Sequence, residues 1–329
     1  MVISKHIHSS PAQAVMLLLA FLFSLPASAS TYSVQLDDVD WQLQEEKHFK
    51  CSILQKVPLF GSVAISAKAG RRLVLELQTS LFPALPASVQ LWLKPQGWGR
   101  FSWQGADNTG QQVPVTAYQL SDTTHWTGLD LKLGLSVRQL LVMLDGQRLL
   151  SAQILKRTGG GTYRLIDVQL PTVGMLPAMT RMSQCITSLL PRDFQQLQQY
   201  NLHYALGRFQ LDGNQRQWLI DTARYVAVDD NIVEITIDGN SDNTPFQDSD
   251  ETIDRLQNLE LSKQRADVVR DHLDRYLQEA GVTRRVKIVT RYHGERYPVA
   301  SNDTAAGRYQ NRRVEVTLLT SQDKNQAAK

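Results

Sequence analysis

Asn258-Leu259-Glu260-Leu261-Ser262-Lys263-Gln264-Arg265-Ala266 is the stretch whose reading decides the fold. Ser262 reads as an N-cap, a hydroxyl able to accept from the free amides of a first helical turn. Beyond it Ala266, Val269, Leu273 and Tyr276 share one helical face, and Gly281 supplies a stop. The expectation is a helix from Ser262 to about Glu279. Ahead of it Val233-Glu234-Ile235-Thr236-Ile237 alternates as a strand and runs into Asp238-Gly239-Asn240-Ser241-Asp242. Further out, 213–227 reads as a helix with Trp218, Leu219, Thr222 and Tyr225 facing inward. The stretches 202–209, 286–292 and 313–319 alternate as strands, and 304–309 reads as a short helical turn. The order β-α-β-α-β-β packs two helices on one face of a mixed sheet, an α+β arrangement. The polar tail 321–329 reads as disordered.

Asn258, Leu261, Ser262, Arg265 and Ala266 fall on the pattern N-x-x-L-S-x-x-R-A, and residues 307–315 on G-R-x-x-N-R-R-V-E. In this order the two runs resemble the OmpA-like peptidoglycan-binding domain, from about Leu202 to Leu319. The resemblance implies that Asp242, within Gly239-Asn240-Ser241-Asp242, accepts the amino group of a diaminopimelate stem peptide and that Arg265 takes its carboxylate. Ser241, Asn258, Leu261 and Arg312 complete the implied peptidoglycan-binding set. The chemistry is sensible: a zwitterionic end-group is matched by one acceptor and one planar guanidinium fork. The resemblance also places Arg265 in the first turn of its helix, where a cation opposes the macrodipole and a neighbouring anion is favoured. The chain departs from the pattern by an insertion of roughly Thr244 to Asp254, rich in Asp, which could flank the groove or shift Asp242. Arg313 and Glu315 alternate with Arg312 and read as structural. The account requires Asp242 and Arg265 to lie on one side of the module, with neither buried against a permanent internal partner.

At 329 residues the chain exceeds what one core usually supports, so two domains are expected. The formal charge of +3 is too small to argue for nucleic acid. It is unevenly spread: residues 30–192 carry 16 Lys+Arg against 11 Asp+Glu, and residues 193–329 carry 18 against 21. Either the two surfaces are unrelated or the halves meet different partners. Lys5, His6 and His8 precede an apolar run from Ala14 to Leu25, followed by Pro26-Ala27-Ser28-Ala29. This reads as a secretory signal peptide over 1–29, cut after Ala29. The run is too short to span a bilayer easily, so contact with membrane is expected only by association. The expected compartment is the periplasm. An even cysteine count in an exported chain favours a Cys51–Cys185 disulfide, with two buried thiols as the alternative. A loop this long removes up to ~5 kcal/mol of denatured-chain entropy.

From Thr31 to about Val173 the period is two, in short runs separated by Gly, Pro, Asn and Asp. Helices are expected at 136–145, capped by Ser136, and at about 175–190, carrying Cys185. Gly159-Gly160-Gly161 reads as hairpin punctuation. The reading is a mainly antiparallel β-domain, sandwich or barrel-like, over residues 30–192, with the α+β domain at 193–320.

Cys51-Ser52-Ile53-Leu54-Gln55-Lys56-Val57-Pro58-Leu59-Phe60-Gly61 resembles the C-x-L-x-x-x-I-P-x-F-G start of the MotY family of flagellar motor proteins. Cys185 followed by Leu189-Leu190-Pro191-Arg192-Asp193-Phe194 resembles that family's domain junction. The resemblance implies a T-ring component of sodium-driven motors in the flagellar basal body. Its N-terminal domain would meet the basal body and a T-ring partner and place the stator units, and its C-terminal domain would hold the wall.

No G-x-S-x-G, H-E-x-x-H or Walker pattern occurs, so no catalytic residue and no cofactor is assigned. His125, His203, His272 and His293 lack metal-ligand spacing. Asp248-Ser249-Asp250-Glu251 with Asp242 lacks a calcium-loop spacing and reads as a solvated loop. Trp92, Trp98, Trp103 and Trp126 are either core or a sugar groove. Rival functions are a general envelope tether unrelated to the flagellum and a cell-wall enzyme that the C-terminal domain targets.

Overall fold

The computed structural model describes residues 29–81, 86–95, 111–122, 127–144, 148–158, 162–246 and 250–327. The signal peptide up to residue 28, Trp98, Trp103, His125, Trp126, the 159–161 triglycine and Asp248-Ser249 lie outside them. The alternation of the first half becomes β1 (Ala29–Ser33), β2 (Gln42–Glu46), β3 (Lys50–Val57), β4 (Gly61–Lys68), β5 (Arg72–Thr79), β6 (Ser88–Pro95), β7 (Gln111–Val113), β8 (Val115–Asp122), β9 (Thr127–Leu133), β10 (Arg148–Arg157) and β11 (Tyr163–Pro171). They form a sheet ordered β1-β11-β10-β6-β7 and a second ordered β2-β3-β4-β5-β9-β8. Pairing is antiparallel in most of these strands, and β1 runs parallel to β11. On β10 and β11, Leu150, Ala152 and Ile154 and Ile166, Val168 and Leu170 occupy alternate, buried positions. Pro114 splits the single strand expected at 113–120, because it has no amide to donate. Trp92 is half-buried on its strand, outside the fully buried set. Helices α1 (Val137–Leu144) and α2 (Met175–Ile186) stand where expected. Ser136 accepts from the Gln139 amide while the Gln139 side chain accepts from the Ser136 amide.

The second half adds α3 (Phe194–Leu197), β12 (Gln199–His203), α4 (Gly213–Val228), β13 (Ile232–Gly239), α5 (Glu251–Glu279), β14 (Lys287–Tyr292), α6 (Ala305–Asn311), β15 (Arg313–Thr320) and α7 (Ser321–Ala327). Its sheet is ordered β12-β15-β13-β14, with only the β13–β14 pair parallel. Leu219, Ala223 and Val226 of α4 and Ala266, Val269, Leu273 and Leu277 of α5 are buried in one core with Ile235, Ile237, Val314, Val316 and Leu318 of the sheet. Asp212 and Gln215 form a reciprocal capping box at the start of α4.

Three expectations are corrected. Helix α5 starts at Glu251 with Asp250 as N-cap, so Ser262 is no cap. The last inserted residues, Glu251 to Asp254, supply the helix's first turn. The tail is helical through Ala327: Thr320 Oγ1 accepts from the Asp323 amide while Asp323 accepts from the Thr320 amide, and Lys324 reaches the buried Glu234. The strand expected at 202–209 ends at His203, where Gly207 at φ 66° turns the chain away. By compactness the chain forms two units that interleave along the sequence. The second unit comprises Gln44–Ser52, Ala67–Arg72 and Met182–Lys329, and the first comprises the rest. Ala69 is buried in the second unit's core, and Phe49 meets the edge of Tyr225. The Cys51–Cys185 disulfide lies within that same unit. A reading of period cannot see two turns of a β-sheet contributing to another core.

Candidate functional site

The C-terminal end of β13 is where the family motifs converge. Gly239 lies so close to α5 that a Cβ there would stand 2.2 Å from the Ser262 carbonyl oxygen and 3.0 Å from the Ala266 Cβ. The small residues of the motif are therefore what let helix and strand touch. The chain then runs back along α5. The Asn240 carbonyl accepts from Arg265 Nη1 at 3.0 Å, and the Ser241 amide donates to the Gly294 carbonyl at 2.8 Å. The Gly294 amide donates to Ser262 Oγ, and the Phe246 amide donates to Asp254. Asn258, 1% exposed, donates to Glu295 from the same helical face. The last residues of the insertion, from Glu251, thus belong to the helix beside this segment.

Asp242 is 2% exposed. Its Oδ2 accepts from Arg312 Nη1 at 2.6 Å and from the Thr244 hydroxyl at 2.7 Å. Arg312 also donates through Nε to the Tyr204 carbonyl at 3.0 Å. Arg265 is 0% exposed and donates through Nε to the Arg208 carbonyl at 2.8 Å. Its guanidinium carbon stands 5.2 Å from the centre of the Tyr204 ring. Among the described residues no carboxylate pairs with it, and Nη2 has no hydrogen-bond partner. Burial pulls its pKa down to about 10, while Tyr204 and Asp242 favour the cation and Arg312 opposes it. Arg265 remains charged at neutral pH. Two guanidiniums against one carboxylate leave the cluster with one surplus positive charge.

Asp242, Ser241, Arg265 and Arg312 are brought together, with Asn258 two turns earlier on α5 and Leu261 half-buried between. Two expectations fail here. Arg265 is the fifteenth residue of α5, too far along for a first-turn dipole to act on it. Neither charged side chain stands open, because Asp242 already holds Arg312 and Arg265 already holds two carbonyls. The internal partners of Arg265 are neutral acceptors, however, and a carboxylate is the stronger acceptor of a guanidinium. Asn311 is structural: it is fully buried and binds Val299, Ala300 and Asn302 through four hydrogen bonds. Tyr204 and Arg208 were not legible as site residues, since spacing gave them no signal, and Asn240 stood in the Gly239–Asp242 segment without an assigned role.

Residues 32–191 match the MotY N-terminal domain, and residues 203–312 match the OmpA family. The chain is a MotY N-terminal domain followed by an OmpA-family domain. It is 22% identical to the sodium-type flagellar protein MotY of Vibrio parahaemolyticus serotype O3:K6 over 310 residues, 94% of this chain and 97% of that protein. Two solved structures are similar to part of the chain. The cell wall anchor of the T6SS from Pseudomonas aeruginosa is 23% identical, covering 37% of this chain and 81% of that one, with a TM-score of 0.28. The C-terminal domain of Helicobacter pylori MotB is 21% identical, covering 39% and 92%, with a TM-score of 0.30. Within the OmpA-family domain, the Asp242, Arg265 and Arg312 cluster joins the end of β13, the middle of α5 and the start of β15. Among the described residues of both domains no helix is long and apolar enough to cross a membrane.

Proposed function

We propose that this chain is an exported, non-enzymatic structural component of the sodium-driven flagellar motor that binds peptidoglycan non-covalently through its OmpA-family domain. Its place would be the periplasmic T ring. The MotY N-terminal domain would meet the basal body and the stator units. The wall's diaminopimelate stem peptide would be the ligand, with Arg265 taking its carboxylate. The flagellar assignment is supported by the similarity to the Vibrio protein along nearly the whole chain. The wall assignment rests on one observation: Arg265 is a fully buried cation with no anionic partner and an unused donor among the described residues. A buried charge held only by neutral groups is costly, and a carboxylate ligand would relieve that cost.

Asp242 would keep the part first expected, as acceptor of the ligand's amino group, but with Arg312 already bound to it. Both of its bonds fall on Oδ2, and among the described residues Oδ1 has no hydrogen-bond partner. That oxygen is the acceptor for the ligand's ammonium, while Arg312 stays in place. Pull-down of the full chain with purified sacculi tests the site. Arg265→Ala and Asp242→Asn should each reduce retention at least tenfold, the scale of one charge-assisted bond. Retention equal to wild type in both variants, with melting curves showing them folded, would refute the assignment.

A further inference from the structure

Among the described residues, six buried side-chain polar atoms have no hydrogen-bond partner, and four of them surround this cluster. They are Arg265 Nη2, the Tyr204 hydroxyl, Ser241 Oγ and Asn240 Oδ1. Such orphans are rare in folded proteins, and their concentration at one place calls for a cause. Asn240 Nδ2 donates to the Asp238 carbonyl, which fixes the amide with Oδ1 as the unused acceptor.

These atoms sort by polarity. Arg265 Nη2 can only donate, and the hydroxyl of Tyr204, whose ring centre lies 5.2 Å from the guanidinium carbon, has no acceptor to donate to. On the neighbouring segment, Asp242 Oδ1 and Asn240 Oδ1 can only accept. We infer that the Tyr204 hydroxyl is a second anchor for the ligand's carboxylate, donating to one oxygen while Arg265 Nη2 donates to the other, and that Asn240 Oδ1 joins Asp242 at the ammonium pole. The inference rests on the wall-binding reading and extends it to two residues outside the implied peptidoglycan-binding set.

The position of Tyr204 is well determined. Its amide donates to the Arg312 carbonyl at 2.8 Å, and its carbonyl accepts from Arg312 Nε. Tyr204 is 2% exposed, and its ring lies beside the Arg265 guanidinium. Burial holds the phenol's pKa above its ordinary value, so it keeps its proton at neutral pH. A neutral phenol adds a donor without adding charge. The pair therefore suits a single carboxylate, whereas a second cation would exceed the ligand's charge.

The test is Tyr204→Phe, which keeps the ring and deletes only the hydroxyl. The full chain is titrated with a soluble, uncross-linked muropeptide carrying meso-diaminopimelate, and its melting temperature is measured in parallel. Affinity is expected to fall roughly tenfold, the loss of one hydrogen bond to a charged group. The melting temperature of the free protein should be unchanged or higher, because a buried hydroxyl without a partner has been removed. Affinity within twofold of wild type would overturn the inference. So would a fall in affinity accompanied by a lower melting temperature, since the hydroxyl would then be supporting the free fold. Arg265→Ala run beside it separates the two levels. If Arg265→Ala binds normally the wall site itself is wrong, whereas if only Tyr204→Phe binds normally the second anchor alone is wrong.

Discussion

Gly239→Ala tests whether close approach of α5 to β13 sets both the stability of the OmpA-family domain and its site. The added Cβ would sit 2.2 Å from the Ser262 carbonyl oxygen, and both of its nearest atoms other than the Ala266 methyl are backbone. Ordinary contact needs about 1 Å more, so the helix has to move by about that distance. Ala266, Val269 and Leu273 would be drawn out of a tightly packed core, at a cost of about 1–3 kcal/mol. For a unit of this size that corresponds to a fall of roughly 3–10 °C in melting temperature. The bonds from Arg265 to the Arg208 and Asn240 carbonyls, now 2.8 and 3.0 Å, would lengthen beyond hydrogen-bond range. Differential scanning calorimetry and sacculus pull-down should therefore report a destabilised domain with weakened wall binding. Gly213→Ala is the control. It lies in the first turn of α4 with nothing within 4 Å of a Cβ, and should be neutral or slightly stabilising. A Gly239→Ala protein that melts within about 1 °C of wild type and binds sacculi equally well would show that the contact is not setting the geometry.

Two further predictions concern parts the site depends on. Asn311→Ala leaves the Val299 and Ala300 amides without their shared acceptor, which should cost about 2 kcal/mol and remove hydrogen-exchange protection at 299–302. Unchanged exchange there would mean the loop is held by other contacts. Glu234 has its carboxyl held below the usual range, chiefly by the Lys324 ammonium and then by Lys287, against the opposing effect of burial. A carboxylate with a depressed folded pKa stabilises the protein above its unfolded pKa and loses that contribution as pH falls through the folded value. Acidification below about pH 4.5 should therefore loosen α7, and Glu234→Gln should flatten that part of the melting-temperature profile. A profile with the same acid slope in the variant would remove Glu234 as the cause.

The sequence by itself determined the architecture: alternation gave most strands of the first domain, and Gly281, Ser136 and the apolar face through Val269 and Leu273 placed helices that the structure contains. It also named Asp242, Arg265 and Arg312, because local patterns fix residue identities at the end of a strand and along a helix face. Tertiary structure alone decided how far α5 extends toward its N-terminus, since a polar insertion carries no periodic signal. It decided that Ala69 and Phe49 belong to the second unit's core, a long-range packing choice without local cause. It decided, finally, that Arg265 is enclosed, held by two neutral carbonyls and lacking an anion. Burial and hydrogen-bond satisfaction depend on which segments meet in space, and neither can be read from the order of residues along the chain.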